Sequence, residues 1–160
     1  MIDITKLLKH MAWANQELIG QLTNFPDEAL AAYATNPEWT VSRIIQHIIH
    51  SADWYKFRLT GEPAVNHDLP TMSSQLQEFA RWTETVDSRL FTAAQEPEGM
   101  VERIVDGKVI LRARSTILSQ LVHHGIEHRA QLVSALEAKG FDSINLDDLD
   151  LWAYCDRFGE

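Results

Sequence analysis

The sequence predicts an all-α fold: a four-helix bundle with a small β-hairpin between helices three and four and a short C-terminal helix, residues 1–160 forming a single domain. Three observations carry that reading. Four long stretches repeat apolar residues at helical spacing. One stretch, around Asp106-Gly107, abandons that spacing for a strand-like run on each side of a tight turn. The tail past Gly140 keeps a few apolar residues, enough only for a short helix packed on the rest.

Taken in order, the first helix runs from about Asp3 to Leu22, with Ile4, Leu7, Leu8, Met11, Leu18, Ile19 and Leu22 on one stripe, and Pro26 ends it. The second begins near Thr40 and places Val41, Ile44, Ile45, Ile48, Ala52, Tyr55 and Leu59 at helical spacing until Gly61 and Pro63 close it. A polar loop covers Glu62 to Pro70. The third helix is expected to start at a capping box of Ser74 with Gln77 and to run through Leu76, Phe79, Ala80, Thr83, Val86 and Leu90 to about Ala94. Val101 to Val105 and Lys108 to Arg112 then make the hairpin. The fourth helix is expected to cap at Ser115 and to continue to Lys139, with Gly140 just past its end. Leu146, Leu149, Trp152 and Ala153 supply the apolar side of the short last helix.

A chain of 160 residues can bury one core of its own and has little room for a second. Hydrophobic residues at 45% and charged residues at 23% give no compositional case for disorder. The net charge of -9, with no basic run, argues against nucleic acid and against an anionic membrane surface as partners. No apolar run approaches bilayer thickness, and the amphipathic N-terminus is broken by charges, unlike a signal peptide. One cysteine, Cys155, rules out an internal disulfide and a cysteine-based zinc knuckle. It suits a reducing compartment, so a cytoplasmic protein is expected.

The seven histidines can be separated on helical wheels. At roughly 100° per residue, His50 falls opposite the apolar stripe of the second helix, and His47 falls on its flank beside Ser51 and Trp54. On the fourth helix His124 and His128 share a flank near Leu121 and Gln131, while His123 and Glu127 point outward. Residues four apart on a helix lie one turn above each other, so His124 and His128 can offer nitrogens to one ion. Flanks of neighbouring helices meet across a bundle seam, which makes His47, His124 and His128 the favoured metal-ligand trio. Three protein ligands leave coordination positions open for water or substrate. The blander reading is a set of half-buried polar residues, each with one hydrogen bond. His10 and His67 are read as solvated.

His124-Gly125-Ile126-Glu127-His128 also fits H-x-x-E-H, the inverted zinc-peptidase signature, in which the Glu handles a proton. The wheel turns Glu127 away from the ligand side, which speaks against it. Arg129 sits at the centre of the apolar stripe, where an unpaired guanidinium is costly, and the acidic tail residues Asp147, Asp148 and Asp150 are its expected partners. Gly125 on the same stripe is read as permitting close helix approach.

At these residues the chain resembles the DinB/YfiT-like family of metal-binding four-helix proteins. Met11-Ala12-Trp13-Ala14-Asn15 is similar to the family's opening helix. Pro37-Glu38-Trp39-Thr40-Val41 followed by Ile44-Ile45-Gln46-His47-Ile48 resembles the stretch bearing the first ligand. His124-Gly125-Ile126-Glu127-His128-Arg129-Ala130-Gln131 resembles the segment supplying the other two, and Asp147 to Tyr154 resembles the usual ending. Two positions depart: Glu127 stands where many members have a further His, and Ala130 replaces a Gly. The resemblance implies a bundle, frequently a homodimer, with a divalent metal, commonly zinc or nickel, at the three-His site. It also implies a small-molecule substrate and chemistry of the kind seen in relatives that use low-molecular-weight thiols, as transferases or isomerases.

Two functions are therefore carried forward. One is a metal-dependent thiol S-transferase or related hydrolase acting on a small electrophile, since a metal with open positions acidifies a coordinated water or thiol. The other is a non-catalytic stress protein binding metal or a small ligand. A third has the histidines as ordinary polar groups of a dimerising bundle.

Overall fold

The computed structural model describes residues 3–141 and 144–159. Among them are five α-helices and one two-stranded antiparallel hairpin. The elements are α1 Ile4–Leu22, α2 Val41–Thr60, α3 Leu76–Ala94, β1 Met100–Val105, β2 Lys108–Ala113, α4 Arg114–Glu137 and α5 Leu151–Phe158. Helix α1 lies against α3 and α4, and α2 lies against the same two. Each long helix turns its apolar stripe into one shared core, where Leu8, Leu18, Ile45, Leu90 and Leu132 are all but fully buried. Each such side chain contributes roughly 1.5–3 kcal/mol by leaving water. No helix among the described residues is long and apolar enough to cross a membrane.

Where a helix end is encoded locally, it falls where the residues predict. Asp3 accepts the Thr5 N–H to start α1, and Thr40 accepts the Arg43 N–H to start α2. Gly61, at φ 83°, closes α2 in the left-handed conformation that suits glycine. Two starts differ from expectation. Helix α3 is entered through a 3-10 turn, Ser73–Gln75, and it is the Gln75 side chain that accepts the Thr71 and Met72 N–H groups, not a Ser74–Gln77 box. Helix α4 starts at Arg114, and Ser115 is not its cap. Instead Glu98, from the preceding loop, accepts both the N–H and the hydroxyl of Ser115.

The hairpin turns at Asp106 and Gly107, both with positive φ (51° and 73°), as a two-residue primed turn requires. Val101 stands directly opposite Arg112, and Ile104 opposite Val109. Since successive residues alternate faces, Val101, Arg103, Ile110 and Arg112 share the face turned to the helices, where Val101 is buried. Arg103 ties that face to the end of α2 by donating from Nε to the Phe57 carbonyl at 3.1 Å. Met100, Ile104, Val109 and Leu111 line the other face and are exposed.

Two further expectations are corrected. Buried Arg129 pairs with no tail carboxylate: its Nη1 donates to Asn15 Oδ1 of α1 at 2.8 Å. Asn15 is itself buried, so a neutral amide oxygen already on the α1–α4 seam serves where a carboxylate would need its own desolvation. His10 is not solvated; it is buried under the turn before α5, with Nε2 at 2.9 Å from the Leu149 carbonyl. Trp13 packs beside it against Tyr154 of α5, ring centroids 5.6 Å apart. The reading of Gly125 holds, for a Cβ there would come within 3.5 Å of Met11 Cγ on α1 and 3.3 Å of Arg129 Nη1.

Candidate metal centre

His47 projects from the middle of α2, and His124 and His128 from successive turns of α4, so the packing of α2 on α4 joins them. One nitrogen from each of the three lies within 4.8 Å of the other two, so a single ion between them can meet all three. The ring centroids are 4.9 Å apart for His47–His124, 4.6 Å for His47–His128 and 4.2 Å for His124–His128. All three side chains are half-buried, which leaves one open side.

Neighbouring groups orient the rings. Gln131 Oε1 lies 2.8 Å from His128 Nδ1, and the same oxygen accepts the Trp39 indole N–H at 3.0 Å. An amide oxygen can only accept, so Nδ1 of His128 carries its proton and the Nε2 lone pair is left for a ligand. Ser51 Oγ lies 3.5 Å from His47 Nε2. Trp39 stands edge-on to His47 at 5.1 Å and packs on His128 at 5.6 Å, walling one side of the cluster. Tyr55 stands edge-on to His124 at 5.9 Å on another. His124 Nε2 is buried with no hydrogen-bond partner. A buried imidazole nitrogen without a partner is costly unless something ligates it, and three nitrogen donors suit zinc, nickel and similar divalent ions. The residues present fit such an ion.

The electrostatics agree. Burial, reinforced by the neighbouring His128 and His124, pushes His47 down to about 4. Burial, then His128, does the same to His124, again to about 4. Both are neutral at physiological pH, which is the protonation state a metal ligand needs.

The other histidines stay outside the cluster. His123 is exposed and His50 is half-buried rather than fully outward. His67 stacks on Trp82 of α3, ring centroids 3.8 Å apart. Glu127 is exposed and outside the cluster, so the carboxylate that H-x-x-E-H requires does not face the donors. Trp39, Tyr55 and Gln131 were not singled out as site residues by the sequence reading. Trp39 and Gln131 lie within the segments that carry the family resemblance, and Gln131 falls on the histidine flank of α4, which is the signal that could have found them.

Two cavities lie beyond residues that flank the donors, and none of the three histidines lines either one. One, of about 310 Å³, opens beside Trp39 and Gln131 and is lined by Ala130, the residue that departs from the motif's Gly. The other, of about 200 Å³, lies past Tyr55 between the ends of α2 and β2 and the start of α4. The loop after α2 lines neither. It is strapped to the far side of α2, where Ser42 donates to the Pro70 carbonyl, Gln46 to that of His67, and the Val65 N–H to Asp53. The segment after α3 does contribute, through Arg112 of the hairpin.

The sequence matches the model of the DinB family over residues 1–154. No curated protein and no solved structure gives a match.

Proposed function

The chain belongs to the DinB family, and on that premise we propose that it binds a divalent metal, zinc or nickel, through His47, His124 and His128, and acts as a metal-dependent thiol S-transferase or related hydrolase on a small electrophile. The observation that carries this is the convergence of three imidazoles, one with a buried nitrogen lacking any partner. When bound, such an ion supplies a Lewis acid that makes a coordinating thiol or water nucleophilic near neutral pH. The chain's own residues do the rest. Gln131 holds His128 in one tautomer, Trp39 and Tyr55 screen the donors from bulk water, and the two cavities beyond them receive the reactants.

Within the same proposal the four long helices form the family's bundle and the protein works in the cytoplasm as a homodimer. Its substrate is a small molecule rather than nucleic acid or membrane. The net charge of -9 supports the last point, and the outward apolar face of the hairpin supports a second copy as partner. A monomeric mass in sedimentation would remove the dimer from the proposal.

A second reading, a non-catalytic metal or small-ligand binding protein, is favoured by one observation: no carboxylate or thiol of the described residues joins the cluster as a general base. Turnover separates the two. A model alkyl halide is offered with a panel of low-molecular-weight thiols, to zinc-loaded, nickel-loaded and chelator-stripped protein. Metal-dependent conjugation with one thiol class is expected, and stoichiometric metal with no turnover of any pair would establish the binding protein instead.

A further inference from the structure

We infer that the cavity past Tyr55 is an anion site, and that the molecule delivered to the three histidines carries a carboxylate held by Arg58 and Arg112. This rests on the reading of the histidines as a metal site and names the class of molecule that site takes.

Arg58 and Arg112 both line that cavity, together with Tyr55, Thr116 and Gln120. They reach it from different elements. Arg58 is half-buried in the last turn of α2, and Arg112 is exposed on the hairpin face that carries Val101. Neither forms an ion pair with a carboxylate of the described residues. Two guanidinium groups from different elements therefore line one small cavity with no carboxylate of the described residues paired to either. Arg112 uses Nη1 on the Leu111 carbonyl at 2.7 Å, which leaves the remaining N–H groups of its fork available to an oxyanion. A cation in the last turn also complements the helix dipole, which accounts for Arg58 by itself but not for Arg112 beside it.

The distance to the donors is short. Tyr55 separates cavity from cluster, its ring 5.9 Å from that of His124, so the cavity begins one ring's width from the candidate ligands. Gln120 reaches the Tyr55 hydroxyl, and Thr116 adds a further hydroxyl to the lining. The acidic charge felt at Tyr55 is that of Glu127, which is exposed and does not line the cavity. Two planar guanidinium forks with neighbouring hydroxyl and amide donors match a carboxylate better than a neutral group of the same shape. A cavity of about 200 Å³ admits a short acid, and Tyr55 is the side chain that stands between that acid and the histidines.

The test compares two probes of equal size and thiol chemistry, 3-mercaptopropionate and 3-mercaptopropanamide, by calorimetry on the zinc-loaded full chain. The acid is expected to bind at least tenfold tighter than the amide. Arg58→Gln and Arg112→Gln should each cut that ratio several-fold, and the double variant should abolish it, with the amide's affinity and the zinc content unchanged. Equal affinities in the unmodified protein would overturn the inference, as would variants that weaken both probes alike. Inorganic phosphate displacing the acid more effectively than propionate does would overturn the carboxylate assignment. If the chain takes up no zinc, the metal reading fails on its own. Propionate against propanamide on the metal-free chain then decides the anion site: a preference lost in the double variant sustains it, and no preference ends it.

Discussion

Gln131 carries no charge, yet its amide oxygen takes one N–H from Trp39 and one from His128 and so decides which nitrogen of His128 is free. Replacing it with Leu should lower metal affinity by roughly 10- to 100-fold while leaving the fold intact, as loss of such outer partners generally does. A competition titration against a chromogenic chelator reads this, and unchanged affinity would show that the contact is incidental. The proposed ligands give a sharper expectation. Ala at His47, His124 or His128 should abolish stoichiometric metal, whereas Ala at His50 or His123 should not, as elemental analysis of purified variants would record. Full metal in the His124 variant would sink the trio. These three histidines were legible because helical spacing alone assigns a side chain to a face, and faces decide who meets across a seam. The partner of Arg129 was not, because the seam beside it offered both acids in the tail and an amide on α1, and spacing does not rank them.

At the scale of elements, α2 presents three different surfaces: an apolar stripe to the core, His47 toward α4, and a polar strip that straps down the loop after it. The anchor of that strip is Asp53, fully buried, whose Oδ1 lies 2.5 Å from Lys56 Nζ, while its Oδ2 accepts the Val65 N–H at 2.8 Å. Lys56 in turn donates to the Pro63 carbonyl at 3.1 Å. Lys56→Met should destabilise the protein by about 3–5 kcal/mol, because it strands a buried charge. Denaturant midpoints would show it, and Asp53→Asn combined with Lys56→Met should recover part of the loss. Helix limits follow the same division between near and far. Thr40, Gly61, Gly140 and the Asp106-Gly107 turn act on their own neighbours, so the sequence exposes them. The starts of α3 and α4 draw partners from elsewhere in the chain. Asp27 accepts from Ser73, and Glu98 from Ser115, contacts that exist only once the fold is made.

For the molecule as a whole, buried titratable groups pull stability in opposite directions over one pH range. His47 and His124 are lowered from 6.5 to about 4 in the folded state. Between those values the unfolded chain binds protons that the metal-free folded chain does not, so stability falls as pH falls. Asp87 does the reverse. It is buried on α3 with no partner for either carboxylate oxygen, and burial raises it from 3.8 to about 7. Between those values the folded chain keeps a proton the unfolded chain has lost, so its contribution falls as pH rises and is gone above about 7. Asp87→Asn should therefore stabilise the protein near pH 8, by at most about 4 kcal/mol, with the gain shrinking toward pH 4. It should also steepen the loss of stability on acidification, since only the histidines then titrate. Urea midpoints with a chelator present, at about pH 5 and about pH 8, test both statements. Parallel shifts at the two values would show that Asp87 is not buried as a lone carboxyl.

The donors come only from α2 and α4, and the segment between them contains all of α3 and the hairpin. An ion bound there is a removable cross-link across the middle of the chain, and its binding free energy is also resistance to unfolding. At a thousandfold excess over its dissociation constant that amounts to about 4 kcal/mol. The protein's survival against proteolysis would then track the metal supply, so that a cell short of the ion loses the protein itself.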